Sequence, residues 1–447
     1  MLRIDVLPDD VLLTIFYFYV VPYGRTKPET EKWISLVHVC RRWRTVVFGS
    51  PRYLRLRLFC TPETPAKDTL DVWPPLPLII DGNISSASIE ENIIVALSHN
   101  DRVHEVDLRE VGSSQLENII SAMQVPFPKA THLRLEASID SPNLPAVPDS
   151  FLGGCAPCLR YLSLDDIPFL GLSTFLLSTT HLVHLYLRIP QPGYIPPEEM
   201  VTCLSVLTSL KYLTLDFSEY RETQRSPPST CSVLSTLTSL GFAGSSGYLE
   251  DLVARIDAPR LNSVFIALLY QNNFIVTQLI KFINRTPALK APVEAHVVLE
   301  GDVAWVKLIS QTFGHGEFRV QIRCNWPRYQ LSFLVKILSS SSLPLFTVEN
   351  LYIKDQGSMH SLMTTRYGIT DWWEILRPFV AVKNIYLFKT IASHIACSWQ
   401  ELDAGGRIEM LPALQNIFLR SPEESIGLFV SARQLLRQTI NISVSSW

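Results

Sequence analysis

Leu159-Arg160-Tyr161-Leu162-Ser163-Leu164 sets the pattern for most of the chain: apolar, two variable residues, apolar, one variable residue, apolar. Its last four positions alternate, so Leu162 and Leu164 share one face of a strand while Tyr161 and Ser163 share the other. The phrase recurs at Val103-Val106-Leu108, Ala130-Leu133-Leu135, Leu182-Leu185-Leu187, Leu210-Leu213-Leu215, Leu237-Leu240-Phe242 and Leu261-Val264-Ile266. It returns at Val348-Leu351-Ile353, Val382-Ile385-Leu387 and Leu414-Ile417-Leu419. Successive starts lie 23 to 29 residues apart in the first run and 32 to 34 in the last. Helical periodicity fills the intervals, as at Gln115 to Met123, Glu198 to Leu207, Tyr248 to Ile256, Phe274 to Ile283 and Trp372 to Phe379.

One strand and one helix per period cannot bury their own apolar face, so each unit must stack on its neighbours. The expected architecture resembles an irregular leucine-rich-repeat solenoid over 102–447, α/β in class, with a parallel, curved sheet. Regular repeats place Asn or Cys three residues after the last leucine. Here that position holds Val111, Ser138, Ile167, Pro190, Ser218, Gln356, Thr390 or Pro422. The loop backbone must then find its partners case by case, which predicts repeats of uneven length. Between Ala288 and Ser342 the phrase lapses, and Val293 to Leu299 and Phe318 to Ile322 read as strands.

If the apolar positions face the core, the residues between them form a second, polar face. That face gathers His132, Arg134, Glu136, Tyr161, Ser163, Asp165, His184, Tyr186, Arg188 and Tyr212, and nearer the C-terminus Asn350, Tyr352, Lys354, Asn384, Tyr386, Asn416, Phe418 and Arg420. Tyrosine and arginine on rigid elements suit a protein interface. Arg134, Tyr161, His184, Tyr186, Arg188, Tyr212, Tyr352, Tyr386 and Phe418 are the candidates for holding a target protein. Strand propensity alone is the alternative reason for tyrosine there.

Ahead of the repeats, Leu7-Pro8-Asp9-Asp10-Val11-Leu12-Leu13-Thr14-Ile15-Phe16 reads as a helix start. Proline fits the first turn, and two aspartates complement the positive end of the dipole. Val11, Leu12, Ile15, Phe16 and Tyr19 fall on one side. In the second segment Leu36, Val39, Trp43 and Val46 form one stripe, and Trp33, Val37, Cys40 and Val47 another. A single helix with two apolar surfaces leaves one of them for the rest of the chain or for another molecule.

The order Leu-Pro-x-Asp-Val-Leu-x-x-Ile-Phe, then Val39-Cys40-Arg41-x-Trp43-Arg44, then Ser50-Pro51, resembles the F-box, the helical module that docks on the Skp adaptor of cullin-RING ubiquitin ligases. The interval between the two halves is roughly ten residues longer than in the compact pattern, with Pro22, Gly24 and Pro28 in the extra turn. The resemblance implies adaptor contacts by Leu7, Pro8, Val11, Leu12, Ile15, Phe16, Leu36, Val39, Cys40, Trp43, Val46 and Pro51. It implies a substrate-receptor subunit that recruits a target protein, joins a cullin through the adaptor and does no chemistry of its own. A repeat scaffold whose first helices only cap the solenoid is the other reading.

The F-box-like module would occupy 1–58. Arg52 to Phe59 alternates like a strand, and 59–101 reads as a linker with a capping strand and helix. The run from Val39-Cys40-Arg41 to Pro77-Leu78-Ile79-Ile80 is similar to F-box proteins of mushroom-forming fungi, in which an irregular repeat domain follows the box.

Composition narrows the partners. The net charge of −3 and the pI near 6.4 set up no field for nucleic acid or an anionic membrane. The first sixty residues carry ten Lys/Arg against five Asp/Glu, a local excess that suits a solvated helix face. The apolar run Val11 to Val21 is too short to span a bilayer. Eight scattered cysteines have no framework spacing, which favours a reducing compartment, cytoplasmic or nuclear. Cys155-Ala156-Pro157-Cys158 reads as two buried loop cysteines better than as a redox pair, since it precedes a strand instead of opening a helix. Gly244-Ser245-Ser246-Gly247 lacks the nucleophile-elbow order and reads as a flexible turn. No cofactor or metal is expected.

Overall fold

A computed structural model describes residues 6–20, 32–63, 65–84, 87–138, 143–190, 194–217, 231–269, 275–311, 315–323, 327–339, 343–355, 369–388, 391–392, 395, 411–420 and 441–444. The chain divides into two compact units, 1–194 and 195–447.

The first unit opens with three helices: α1 (Asp9–Val20), α2 (Lys32–Val39) and α3 (Arg41–Gly49). Pro8 accepts from the Leu12 amide, so the proline carbonyl begins the α1 ladder while its missing N–H costs nothing. Asp9 lies at the positive end of α1 and also receives Arg42, whose Nε and Nη2 sit 3.0 and 2.7 Å from Oδ1. The same Nη2 donates to the Leu7 carbonyl. The Leu-Pro turn is thereby tied to α3.

The second segment is not one helix. Cys40 is extended (φ −160°, ψ 171°) and divides α2 from α3, and Arg44 donates from Nε to the Val37 carbonyl that the break exposes. The two stripes expected on a single helix are therefore redistributed. Trp33, Leu36, Val37, Val46 and Val47 are all buried. Trp33 meets Trp73 edge-on at 5.1 Å and donates its indole N–H to the Arg57 carbonyl, which fixes α2 on the following segment. The extra turn at 21–31, with Pro22, Gly24 and Pro28, lies outside the described residues.

The sheet of this unit runs in sequence order through β1 (Leu58–Cys60), β2 (Leu78–Asn83), β3 (Val103–Val111), β4 (His132–Ala137), β5 (Tyr161–Asp165) and β6 (His184–Arg188), every pair parallel. Helices α4 (Ala66–Val72), α5 (Ala87–Leu97), α6 (Ser113–Ala122) and α7 (Leu172–Ser178) connect strands. The strand expected at Arg52 to Phe59 starts only at Leu58. Residues 51–55 form a turn in which Arg55 has φ 51°, while Leu54, Leu56 and Leu58 are buried. Apolar alternation marked the burial correctly and the backbone wrongly.

The second unit has α8 (Pro197–Val206), β7 (Tyr212–Asp216), β8 (Ser232–Val233), β9 (Ser239–Gly244), α9 (Ser246–Ala254), β10 (Ile256–Asp257), β11 (Ser263–Leu269) and α10 (Thr277–Arg285). It continues with β12 (Pro292–Glu300), β13 (Val303–Ser310), β14 (Gly316–Arg323), α11 (Pro327–Leu338), β15 (Asn350–Asp355), α12 (Ile369–Leu376), β16 (Asn384–Phe388), β17 (Asn416–Arg420) and β18 (Asn441–Val444). Strand order is β7-β9-β11-β14-β13-β12-β15-β16-β17-β18, with β8 and β10 paired separately.

The expected all-parallel sheet is corrected here. Strands β12, β13 and β14 form an antiparallel meander laid in reverse, so β14 pairs with β11 and β12 with β15, both in parallel. An odd number of strands restores the direction, and the repeats resume. This meander occupies the interval where the phrase lapses. A two-residue turn at Gly301-Asp302, with Gly301 at φ 55°, closes its first hairpin. Gly316 starts β14 against the backbone of Ala288, whose oxygen would lie 1.9 Å from an added Cβ.

Every phrase named above maps to a strand, from β3 to β7, then β9, β11 and β15 to β17, with its apolar members buried. A stacked strand–helix architecture of leucine-rich-repeat type follows from that register.

Candidate functional site

Among the described residues, one side of α1 and the polar face of the strands in each unit stay open to water.

On α1, Leu12 and Phe16 are sealed inside, Phe16 against the Trp43 ring at 4.7 Å. Leu36 and Val46 are sealed as well, which withdraws Leu12, Phe16, Leu36 and Val46 from the expected adaptor contacts. Leu7, Trp43 and Pro51 are half-buried, and Pro8 and Cys40 are exposed. Exposure concentrates instead on Val11 (39 %), Ile15 (45 %), Phe18 (58 %) and Tyr19 (48 %), with Val39 of α2 at 58 %. Positions 11, 15 and 18 follow the i, i+4, i+7 spacing of one stripe, with Tyr19 beside it. The doubled apolar surface thus belongs to α1, whose apolar arc is wider than the contact it makes. Phe18 and Tyr19 were not among the expected adaptor contacts, though Tyr19 was placed on this side of the helix; the signal for Phe18 was its spacing from Val11 and Ile15.

The polar strand faces are ordered by pairs within a strand and between neighbouring strands. In the first unit Arg134 bonds Glu136 at 2.7 Å, Arg109 bonds Asp107 at 2.9 Å, and Arg188 reaches Asp165 at 3.5 Å. His132 stacks on Tyr161 with centroids 4.0 Å apart, and Tyr161 leans on His184 at 5.5 Å. Tyr186 donates to Asp165 at 3.5 Å. Burial, opposed by Arg188, holds the Asp165 carboxyl above its ordinary range.

In the second unit two ladders cross the strands, one of amides from β15 to β18 and one of rings from β12 to β17. Asn384 donates to Asn350 and Asn416 to Asn384, each at 2.8 Å, and Asn441 to Asn416 at 3.3 Å. Two residues further along the strands, on the same face, His296, Tyr352, Tyr386 and Phe418 stack with centroids 4.5, 4.2 and 4.5 Å apart. Burial and the neighbouring Glu294 push the Tyr352 phenol up to about 12. Tyr212 of β7 is exposed. Of the residues expected on the polar face, Ser163 is buried, while His132, Tyr161, Tyr352, Tyr386 and Phe418 stack on one another, so these rings present edges instead of open faces. The stacks need equal spacing between repeats, which no single phrase shows.

Burial lowers the pKa of His104, His132 and His296 below 6.5, with Glu294 opposing the shift at His296. Such histidines bind fewer protons folded than unfolded. Their contribution to stability is present above pH of about 6.5 and is lost as the pH falls below it. The expected result is a lower melting temperature at pH 5 than at pH 7, with a smaller difference in His132→Gln and His296→Gln. Equal pH dependence in the variants would remove this cause.

Among the described residues no group of three His, Cys, Asp or Glu gathers to hold a metal ion, and no helix is long and apolar enough to cross a membrane. Cys155 and Cys158 are both exposed, which corrects the expectation of buried loop cysteines. Ser245 of the Gly-Ser-Ser-Gly turn caps α9 by accepting from the Tyr248 amide at 3.3 Å.

Comparison with known proteins gave no matching family model and no match among curated proteins. Among solved structures the chain is similar to the leucine-rich repeat-containing protein LegL7 from Legionella pneumophila. That similarity has 15 % identity and a TM-score of 0.30, over 86 % of this chain and 98 % of that one.

Proposed function

We propose that this chain is the substrate-recognition subunit of a Skp-cullin-F-box ubiquitin ligase. The outer side of α1 docks the adaptor and the polar strand faces hold a target protein. The observation that carries the reading is the exposed stripe Val11, Ile15, Phe18 and Tyr19, beside Val39, on helices whose other sides are already packed. A helix laid into a groove buries such a stripe as its anchors. The chain supplies position instead of chemistry: it keeps the target near the transferring enzyme, and proximity does the rest.

The capping alternative accounts for α2 and α3, which rest on Trp73 and the Arg57 carbonyl. It leaves the α1 stripe without a purpose. The test is a pull-down of the full chain by purified Skp adaptor. Wild type is expected to be retained, and the Leu7→Ala/Pro8→Ala double variant is expected to be lost, because the half-buried Leu7 side chain and the exposed Pro8 ring ahead of α1 are removed. Retention of that variant would exclude this mode of docking.

A further inference from the structure

On the polar face of the second unit, register places Arg319 of β14 opposite Phe265 of β11 and Lys307 of β13. The guanidinium lies over the Phe265 ring at 5.4 Å and over the Trp305 ring at 4.4 Å. Its Nε is buried with no hydrogen-bond partner. Among the described residues no carboxylate pairs with it, whereas nearby cations have theirs: Lys307 with Glu317 at 3.0 Å and Arg323 with Asp302 at 3.3 Å.

A partly desolvated charge without a counter-ion is unusual, because the lost hydration is returned only by an anion or by hydrogen bonds. The two rings cover Nε, return part of the lost hydration and fix the guanidinium, leaving its two terminal Nη groups to bond a planar or tetrahedral anion in two places. Ordering that side chain is already accomplished in the free protein, so an incoming anion gains more from it than from a mobile surface arginine. The local carboxylates limit how much negative charge can enter. Glu317 lies two residues earlier on β14, and Glu294 is hydrogen-bonded to His296 on the same face. A strongly acidic segment would meet both. One anionic group, flanked by apolar residues that rest against Phe265, which is 40 % exposed, fits the balance.

We infer that Arg319 anchors a single acidic side chain, carboxylate or phosphate, of an extended target polypeptide. This rests on the reading of the strand face as the target-binding surface. The experiment immobilises the full chain and offers peptide mixtures with Glu, phosphoserine, Gln or Lys fixed at the centre and apolar and neutral residues around it. Wild type is expected to retain the Glu or phosphoserine mixture about tenfold over Gln, as one charge-assisted contact would give. Which of the two is preferred identifies the anion's source. Arg319→Gln removes the preference. Arg319→Lys keeps the charge but loses the fork and the stacking, and is expected to weaken the preference severalfold, which decides the matter should the Gln variant misfold. Equal retention of Glu, phosphoserine and Gln by wild type, no retention at all, or an unchanged preference in either variant would overturn the inference. Adaptor pull-down of the same proteins separates the two claims. Adaptor binding without acidic preference sinks the anchor alone, and acidic preference without adaptor binding sinks the ligase reading alone.

Discussion

Replacing Val11 and Ile15 together by Asp is expected to weaken Skp-adaptor binding by more than about a hundredfold, close to 3 kcal/mol, with the fold unchanged. Both side chains are already exposed, so a charge there loses little in the free protein. Position 11 lies in the first turn of α1 beside Asp9 and Asp10, where a third carboxylate still meets the positive end of the helix. In a buried interface the same two charges would lose their water without a partner. Titration calorimetry and thermal melting of the full-length variant read the two halves of the expectation. Undiminished binding would show that α1 is not the docking surface. Leu12→Asp is the contrast: that side chain is fully buried, and the variant should lose the helical module itself.

The second large effect concerns how one repeat holds the next. Glu250 on α9 is buried, and its two carboxylate oxygens accept from the backbone amides of Gln278 and Leu279 at 2.8 and 2.9 Å. Helix α10 has Val276 at its N-cap and no side-chain cap of its own. The preceding repeat therefore supplies the anion that its N-terminus requires. Glu250→Ala strands two N–H donors, that of Leu279 buried and that of Gln278 partly so, and is expected to cost about 3 kcal/mol. Urea unfolding should show the loss, and hydrogen exchange should place it in α10 first. Glu250→Gln, which keeps one acceptor, should lose less. A melt like wild type for Glu250→Ala would mean that water replaces the carboxylate.

Much of the repeat architecture was legible because its cause is local. Leu162 and Leu164 must share a face, and the same two-step alternation at Leu185, Leu213 or Ile385 fixes both the strand and its buried side. The helices followed for the same reason. What escaped depended on contacts between distant segments. Nothing in the run Leu36, Val39, Trp43, Val46 announces that Cys40 is extended: the apolar spacing continues through it, and no glycine or proline marks the break. The reversal of β12 to β14 is a choice of neighbours, and alternation in Val303 to Ser310 is silent about partners. Glu250 and Arg319 are single polar residues whose roles come from Leu279 on another helix and Trp305 on another strand. On α1 the apolar arc was visible from Val11 to Tyr19, but which half stays in water was decided by Trp43.

The central claim is that α1 presents a stripe meant for a second molecule. Hydrogen exchange of the full-length chain, alone and with saturating Skp adaptor, tests it most directly. The account predicts slower exchange across residues 9–20 in the complex, with the strands of the second unit unchanged. Exchange in α1 that is identical with and without adaptor would contradict it.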